Sequence, residues 1–257
     1  MPRFSANLSY LFLEHEFLQR FDAARAAGFK AVEFHFPYAF DKAQVAAAAR
    51  NAGVEVVLFN LPAGDWDAGE RGIACLPQRR AEFEAGVALA VEYAKALGCT
   101  RINCLAGVQP ADLGAAAARA TLVANLRFAA AELARAGMRL LLEPINTRDM
   151  PGFYVSRTAQ ALDICAAVGA ANLFVQYDVY HAQVMEGDLA RSLEANLARI
   201  GHIQIADNPG RHEPGTGEIN FPFLFAHLDR IGYDGWIGCE YKPLTTAAAG
   251  LGWMPRA

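Results

Sequence analysis

A chain of 257 residues, 54% hydrophobic and 19% charged, holds enough apolar material for one sizeable core and matches the length of a typical single β/α barrel. Its formal net charge of -4 leaves no basic footprint for nucleic acid, and no run approaches the roughly 20 apolar residues of a membrane span. The five cysteines, odd in number and without a C-x-x-C pair, read as small buried side chains in a reducing compartment. With no apolar signal core near Met1, a cytoplasmic protein is expected.

The first apolar segment, residues 4–12, reads as a strand. After it one junction recurs: a helical, often Ala-rich run ends at a glycine, and a short β-rich segment follows. Gly28 precedes residues 29–34, Gly53 precedes 54–59, and Gly98 precedes 99–104. Gly137 then precedes 138–143, Gly169 precedes 172–177, Gly201 precedes 202–206, and Gly232 precedes 236–240. Glycine supplies the left-handed backbone that ends a helix, and the Arg or Lys before most of these junctions suits the helix's negative end. Eight strands alternating with helices imply parallel pairing and an α/β fold, a single (β/α)₈ TIM barrel over residues 1–257. The rival, an open doubly wound sheet, lacks its phosphate cradle, because residues 9–14 contain no G-x-G-x-x-G.

Two polar excursions, residues 61–70 after the third strand and the tail 242–257, would leave from the face that carries the strand C-termini. That is where barrels build active sites, although an ordinary mobile loop is the plainer alternative. The apolar helix face at residues 83–91 suits either core or a subunit interface, so a homo-oligomer stays open.

Four polar residues stand at successive strand ends: Glu143 after the fifth strand, Asp178 on the sixth, Gln204 on the seventh and Glu240 after the eighth. In a closed barrel they converge at the rim, where three carboxylates repel one another and a divalent cation resolves the conflict. All-oxygen ligation favours magnesium or manganese over zinc. The alternative is that each strand-end acid merely caps the following helix. His181 on the next helix, Asn7, His35, Asn60 and Lys242 are further rim candidates, Asn60 and Lys242 as expected substrate contacts. His15 and His227 fall in helical runs, and His202 is assigned to the opposite rim with a stabilising role.

Leu142-Glu143-Pro-Ile-Asn146, Gln176-Tyr-Asp178-Val-Tyr-His181, residues 202–220 and Gly235-Trp-Ile-Gly-Cys-Glu240-Tyr-Lys-Pro243 resemble the hydroxypyruvate isomerase family. That family belongs to the xylose-isomerase-like barrels, beside 2-oxo-tetronate isomerases and ketose 3-epimerases, and the likeness spans nearly the whole chain. It implies a metal held by Glu143, Asp178, Gln204 and Glu240, with Glu143 and Glu240 as the proton-transferring pair. It also implies substrate contacts from His181 and Arg211. Gln204 stands where the ketose epimerases generally have His, which favours the hydroxypyruvate branch. The implied reaction converts hydroxypyruvate to tartronate semialdehyde, a small hydroxy-keto acid substrate, through an enediolate. 2-Oxo-tetronate isomerase and ketose 3-epimerase are the alternatives. An endonuclease-like barrel would need a basic groove and a His-rich site, and six scattered histidines argue against it.

Overall fold

Six of the seven helix-ending glycines do what the sequence asks. Gly28, Gly53, Gly98, Gly137, Gly169 and Gly232 take φ values from 66° to 97°, the left-handed turn that releases a helix into the next strand. The seventh does not. Gly201 lies inside a strand, where a Cβ would stand 2.5 Å from Leu141 Cδ2 and 2.8 Å from Phe174 Cβ, so it is present for close packing.

The structure, a computed structural model, describes residues 2–254. Eight parallel strands close in chain order: β1 (Arg3–Asn7), β2 (Ala31–Glu33), β3 (Glu55–Asn60), β4 (Arg101–Cys104), β5 (Arg139–Leu142), β6 (Leu173–Asp178), β7 (Ile200–Ile205) and β8 (Trp236–Cys239). β8 pairs back onto β1, which makes the barrel. Around it lie α1 (Arg20–Ala26), α2 (Lys42–Ala52), α3 (Arg80–Leu97), α4 (Ala115–Arg135), α5 (Thr158–Val168), α6 (Val179–Met185), α7 (Leu189–Asn196) and α8 (Phe221–Arg230). No helix among the described residues is long and apolar enough to cross a membrane. All five cysteines are buried and free.

The first strand is shorter than residues 4–12 suggest. Asn7 Oδ1 accepts Ser9 N–H at 3.0 Å and Asn7 O accepts Leu11 N–H at 2.8 Å, so the chain turns at once. Leu8, Leu11 and Phe12 are buried, but as a loop packed on the core. His15 likewise lies in that exposed loop and not in a helix. On α3, Phe83 and Val87 enter the core, while Leu89 stays exposed.

Side chains alternate along a strand, so residues two and four before a rim residue share its side. By that count Ala31, Leu141, Phe174 and Trp236 face inward, and with Val57 and Leu58 they form a small apolar cluster separate from the large core between sheet and helices. Above it the barrel interior turns polar. No α-helix follows β8 among the described residues; the chain there runs as a strap ending in one 3₁₀ turn, Ala249–Trp253. Trp253 packs edge-on against Phe4 at 5.0 Å and donates to Tyr241 Oη at 3.3 Å.

Candidate active site

The strand C-termini bring the four anticipated residues together. Asp178 ends β6 and sits level with Gln204 on β7, while Glu143 and Glu240 follow the last residues of β5 and β8. All four are buried. Asp178 also serves the capping role: its Oδ1 accepts Tyr180 N–H at 2.7 Å and His181 N–H at 3.3 Å at the start of α6. That accounts for one oxygen only. Oδ2 is buried and has no hydrogen-bond partner, which is costly for a carboxylate oxygen.

Each glutamate is held from below by side-chain amides. Glu143 Oε2 accepts Asn103 Nδ2 at 2.8 Å, and Asn103 donates in turn to Asn60 Oδ1 at 3.2 Å. Glu240 Oε2 accepts Asn7 Nδ2 at 3.0 Å and Gln204 Nε2 at 2.6 Å. Both of those nitrogens also donate to Glu33 Oε1, at 3.1 and 2.8 Å. Glu33 is fully buried inside the barrel, and its other oxygen meets Ser5 Oγ and His202 Nε2, each at 2.8 Å. Gly238 makes room for it, since any Cβ there would collide with the Glu33 carboxyl. Gln204 Oε1 meanwhile accepts Gln176 Nε2 at 2.6 Å, so this amide turns its nitrogen, not its oxygen, toward Glu240.

Burial, then the Glu240 and Asp178 charges, push the Glu143 carboxyl well above the usual range. Burial pushes Asp178 up to about 7 against the pull of Arg211. Burial would raise Glu240 too, but His35 at 3.5 Å, Arg211 and the Gln204 amide outweigh it and hold that carboxyl low. His181 is driven the other way, kept neutral by burial and then by Arg211.

Arg211 reaches the site from the loop at residues 207–220. Asp207 organises that loop with four backbone N–H bonds of 2.9–3.0 Å, from Asn208, Gly215, Gly217 and Ile219. Arg211 itself adopts φ 56°, a strained backbone for a side chain with a Cβ. Its guanidinium lies between the Tyr10 and Tyr180 rings at 5.0 and 5.2 Å, donates from Nη2 to Glu240 Oε1 at 2.5 Å, and comes within 3.7 Å of Asp178 Oδ2. Its Nε is buried without a partner. Tyr10, His35, Phe36 and Trp66 form a contiguous aromatic wall, with ring centroids 5.1–6.1 Å apart.

Two anticipated contacts sit differently. Asn60 is buried and acts on Asn103, while the exposed Lys242 uses its backbone, donating to Arg211 O at 2.8 Å and accepting from His212 Nδ1 at 2.7 Å. Glu213 Oε2 adds a third tie by accepting Leu244 N–H at 3.0 Å. His202 is not on the opposite rim. It lies inside the barrel, two residues below Gln204 on the same side. Sequence reasoning passed over Glu33, Asn103 and Gln176, although each sits on the inward side of a strand; that period of two was the available signal.

A buried group of a glutamate, an aspartate and a histidine could hold a divalent cation here. Ligand atoms of Glu143, Asp178 and His181 all lie within 4.8 Å of one another, and Asp178 Oδ2 is the orphaned oxygen among them. Without a cation, a raised carboxyl stabilises the fold below the ordinary carboxyl range. That contribution is lost as pH rises through its folded value, about 7 for Asp178. Glu240, held low, loses its contribution only in acid. The cation-free protein is therefore expected to unfold at lower temperature at about pH 8 than at about pH 6, with magnesium raising the midpoint more at the higher pH. Thermal scans at both values check this.

Residues 21–257 match the family model of the xylose isomerase-like TIM barrel. The chain is 54% identical over 254 residues to a 2-oxo-tetronate isomerase of Cupriavidus necator, covering 99% of this chain and 98% of that one. Hydroxypyruvate isomerase of Escherichia coli matches with the same identity and coverage. A crystal structure of a Brucella melitensis protein titled AP endonuclease, family 2, superposes with a TM-score of 0.96 at 45% identity, over 98% of both chains.

Proposed function

The chain belongs to the xylose isomerase-like TIM barrel family, and on that premise we propose that it is an isomerase interconverting hydroxypyruvate and tartronate semialdehyde by proton transfer between Glu143 and Glu240. The observation that carries this reading is the pair itself: two buried glutamates just past β5 and β8, Glu143 held by the Asn103 amide and Glu240 by the Asn7 and Gln204 amides, with Asp178 Oδ2 lacking a hydrogen-bond partner in the same mouth.

Glu143, Asp178 and Glu240 would hold a divalent cation, magnesium or manganese by the preference of carboxylate oxygen, and bound there it would polarise the substrate's two adjacent oxygens. Gln204 joins that set only if its amide oxygen leaves Gln176. One glutamate takes a proton from C3 of hydroxypyruvate, leaving an enediolate, and the other delivers a proton to C2. The hydroxyl proton passes from the C3 oxygen to the C2 oxygen, so the two carbons exchange oxidation level and the formula is unchanged. Arg211, with a free Nε beside an engaged Nη2, offers a donor to the substrate carboxylate. The aromatic wall limits water at the mouth.

A second reading, 2-oxo-tetronate isomerase, is supported by the equal identity to the Cupriavidus relative. An endonuclease reading has to place a polyanion on a mouth carrying three carboxylates. Proton NMR in D₂O with hydroxypyruvate, 2-oxo-tetronate, fructose and tagatose, with and without magnesium, separates the readings. Deuterium is expected at C3 of hydroxypyruvate, only with the metal. Exchange confined to C3 of the free ketoses would replace this reading with an epimerase.

A further inference from the structure

The loop after β5 carries a buried side chain that the proton transfer does not use. Asn146 Oδ1 accepts two backbone N–H groups, from Arg148 at 3.0 Å and Asp149 at 2.8 Å. Its amide nitrogen is thereby turned the other way, onto Asp149 Oδ2 at 3.1 Å and His181 Nδ1 at 2.7 Å. Reversing the amide would face its oxygen to a carboxylate oxygen that already accepts Tyr180 Oη at 2.9 Å, and its nitrogen to two N–H donors. Three of its four bonds would break, leaving only the His181 contact available to the other tautomer, so the orientation is fixed.

A donor aimed at Nδ1 requires a lone pair there. A ring with that lone pair carries its single proton on Nε2. Nε2 is the nitrogen at the mouth, 3.6 Å from Asp178 Oδ2 and 4.0 Å from Glu143 Oε1. A cation ligand must instead present a lone pair at that position. We propose that Asn146 is a positioning residue that holds His181 as its Nε2–H tautomer, so that the imidazole meets a substrate oxygen as a hydrogen-bond donor and stays outside the cation's ligand set. This refines the isomerase reading above and rests on it for the identity of that oxygen. The same contacts link the two substrate-facing donors, because Asp149 also binds Tyr180, whose ring flanks Arg211.

Long-range ¹H–¹⁵N correlation of histidine-labelled protein tests this directly, with the His181 signals identified by their loss in His181→Gln. The expected wild-type spectrum has the proton on Nε2, in the cation-free protein and after magnesium alone. Asn146→Asp replaces the donor at Nδ1 by an acceptor. There Nδ1 is expected to gain a proton, with kcat lowered about 10²-fold and KM little changed. Asn146→Asp/Asp149→Asn removes the new carboxylate repulsion and is expected to show the same tautomer change. A wild-type proton on Nδ1, loss of the Nε2 proton on adding magnesium, or an unchanged tautomer in the variants would overturn the proposal. The wild-type spectrum decides even if the single variant fails to fold. Absence of turnover on either acid beside an intact Nε2–H spectrum would sink the isomerase reading and leave the tautomer assignment standing.

Discussion

Glu143→Gln and Glu240→Gln are each expected to lower kcat by about 10²- to 10⁴-fold, the range for loss of a general acid or base, while the barrel stays folded. Gln keeps the size of Glu and cannot shuttle the proton. The stability consequences should differ, because the environments differ. Burial and the neighbouring Glu240 and Asp178 charges push the Glu143 carboxyl up and so favour its neutral form, and the amide oxygen of Gln still accepts from Asn103, so the cation-free Glu143→Gln variant should melt no lower than wild type. Glu240 is held ionised by His35, Arg211 and the Asn7 and Gln204 amides, and an NH₂ group in its place faces donors. Glu240→Gln should therefore cost about 1–3 kcal/mol. Steady-state kinetics with denaturant unfolding reads both effects. Near wild-type kcat in either variant would remove the two-glutamate mechanism.

Exhaustive chelation is expected to bring turnover to background, with magnesium or manganese restoring it. Three carboxylates share the mouth with Arg211 as a neighbouring cation, and Asp178 Oδ2 has no hydrogen-bond partner. Asp178→Asn isolates that oxygen. Its Oδ1 can still cap α6, so the fold should hold, while cation affinity by calorimetric titration should fall about 10-fold or more. Full activity after complete metal removal would refute the cation's part, and unchanged affinity in Asp178→Asn would remove Asp178 from the site.

The barrel was legible because its punctuation is chemical: a helix needs a left-handed residue to end, and glycine marks six of those ends. Gly201 mimics the same signal, and only the packing of Leu141 and Phe174 against its Cα reveals a different cause. The rim acids were legible because a carboxylate ending an apolar strand has no place in a core. The polar layer beneath them was not, since Glu33 within residues 29–34 reads as the ordinary alternation of a half-buried strand. Nor does spacing tell that Gln204 presents its nitrogen, because an amide's facing is decided by partners drawn from other strands, here Glu33 and Gln176.

The strap after β8 grips the Arg211 loop through Lys242 and Leu244 before Trp253 docks beside Phe4. β1 and the 3₁₀ turn therefore meet, and the guanidinium's seat is fastened by residues that lie outside the strands. Closing the eight strands leaves the Arg211 loop without its ties to Lys242 and Leu244, so the sheet and the guanidinium's seat are secured by different parts of the fold.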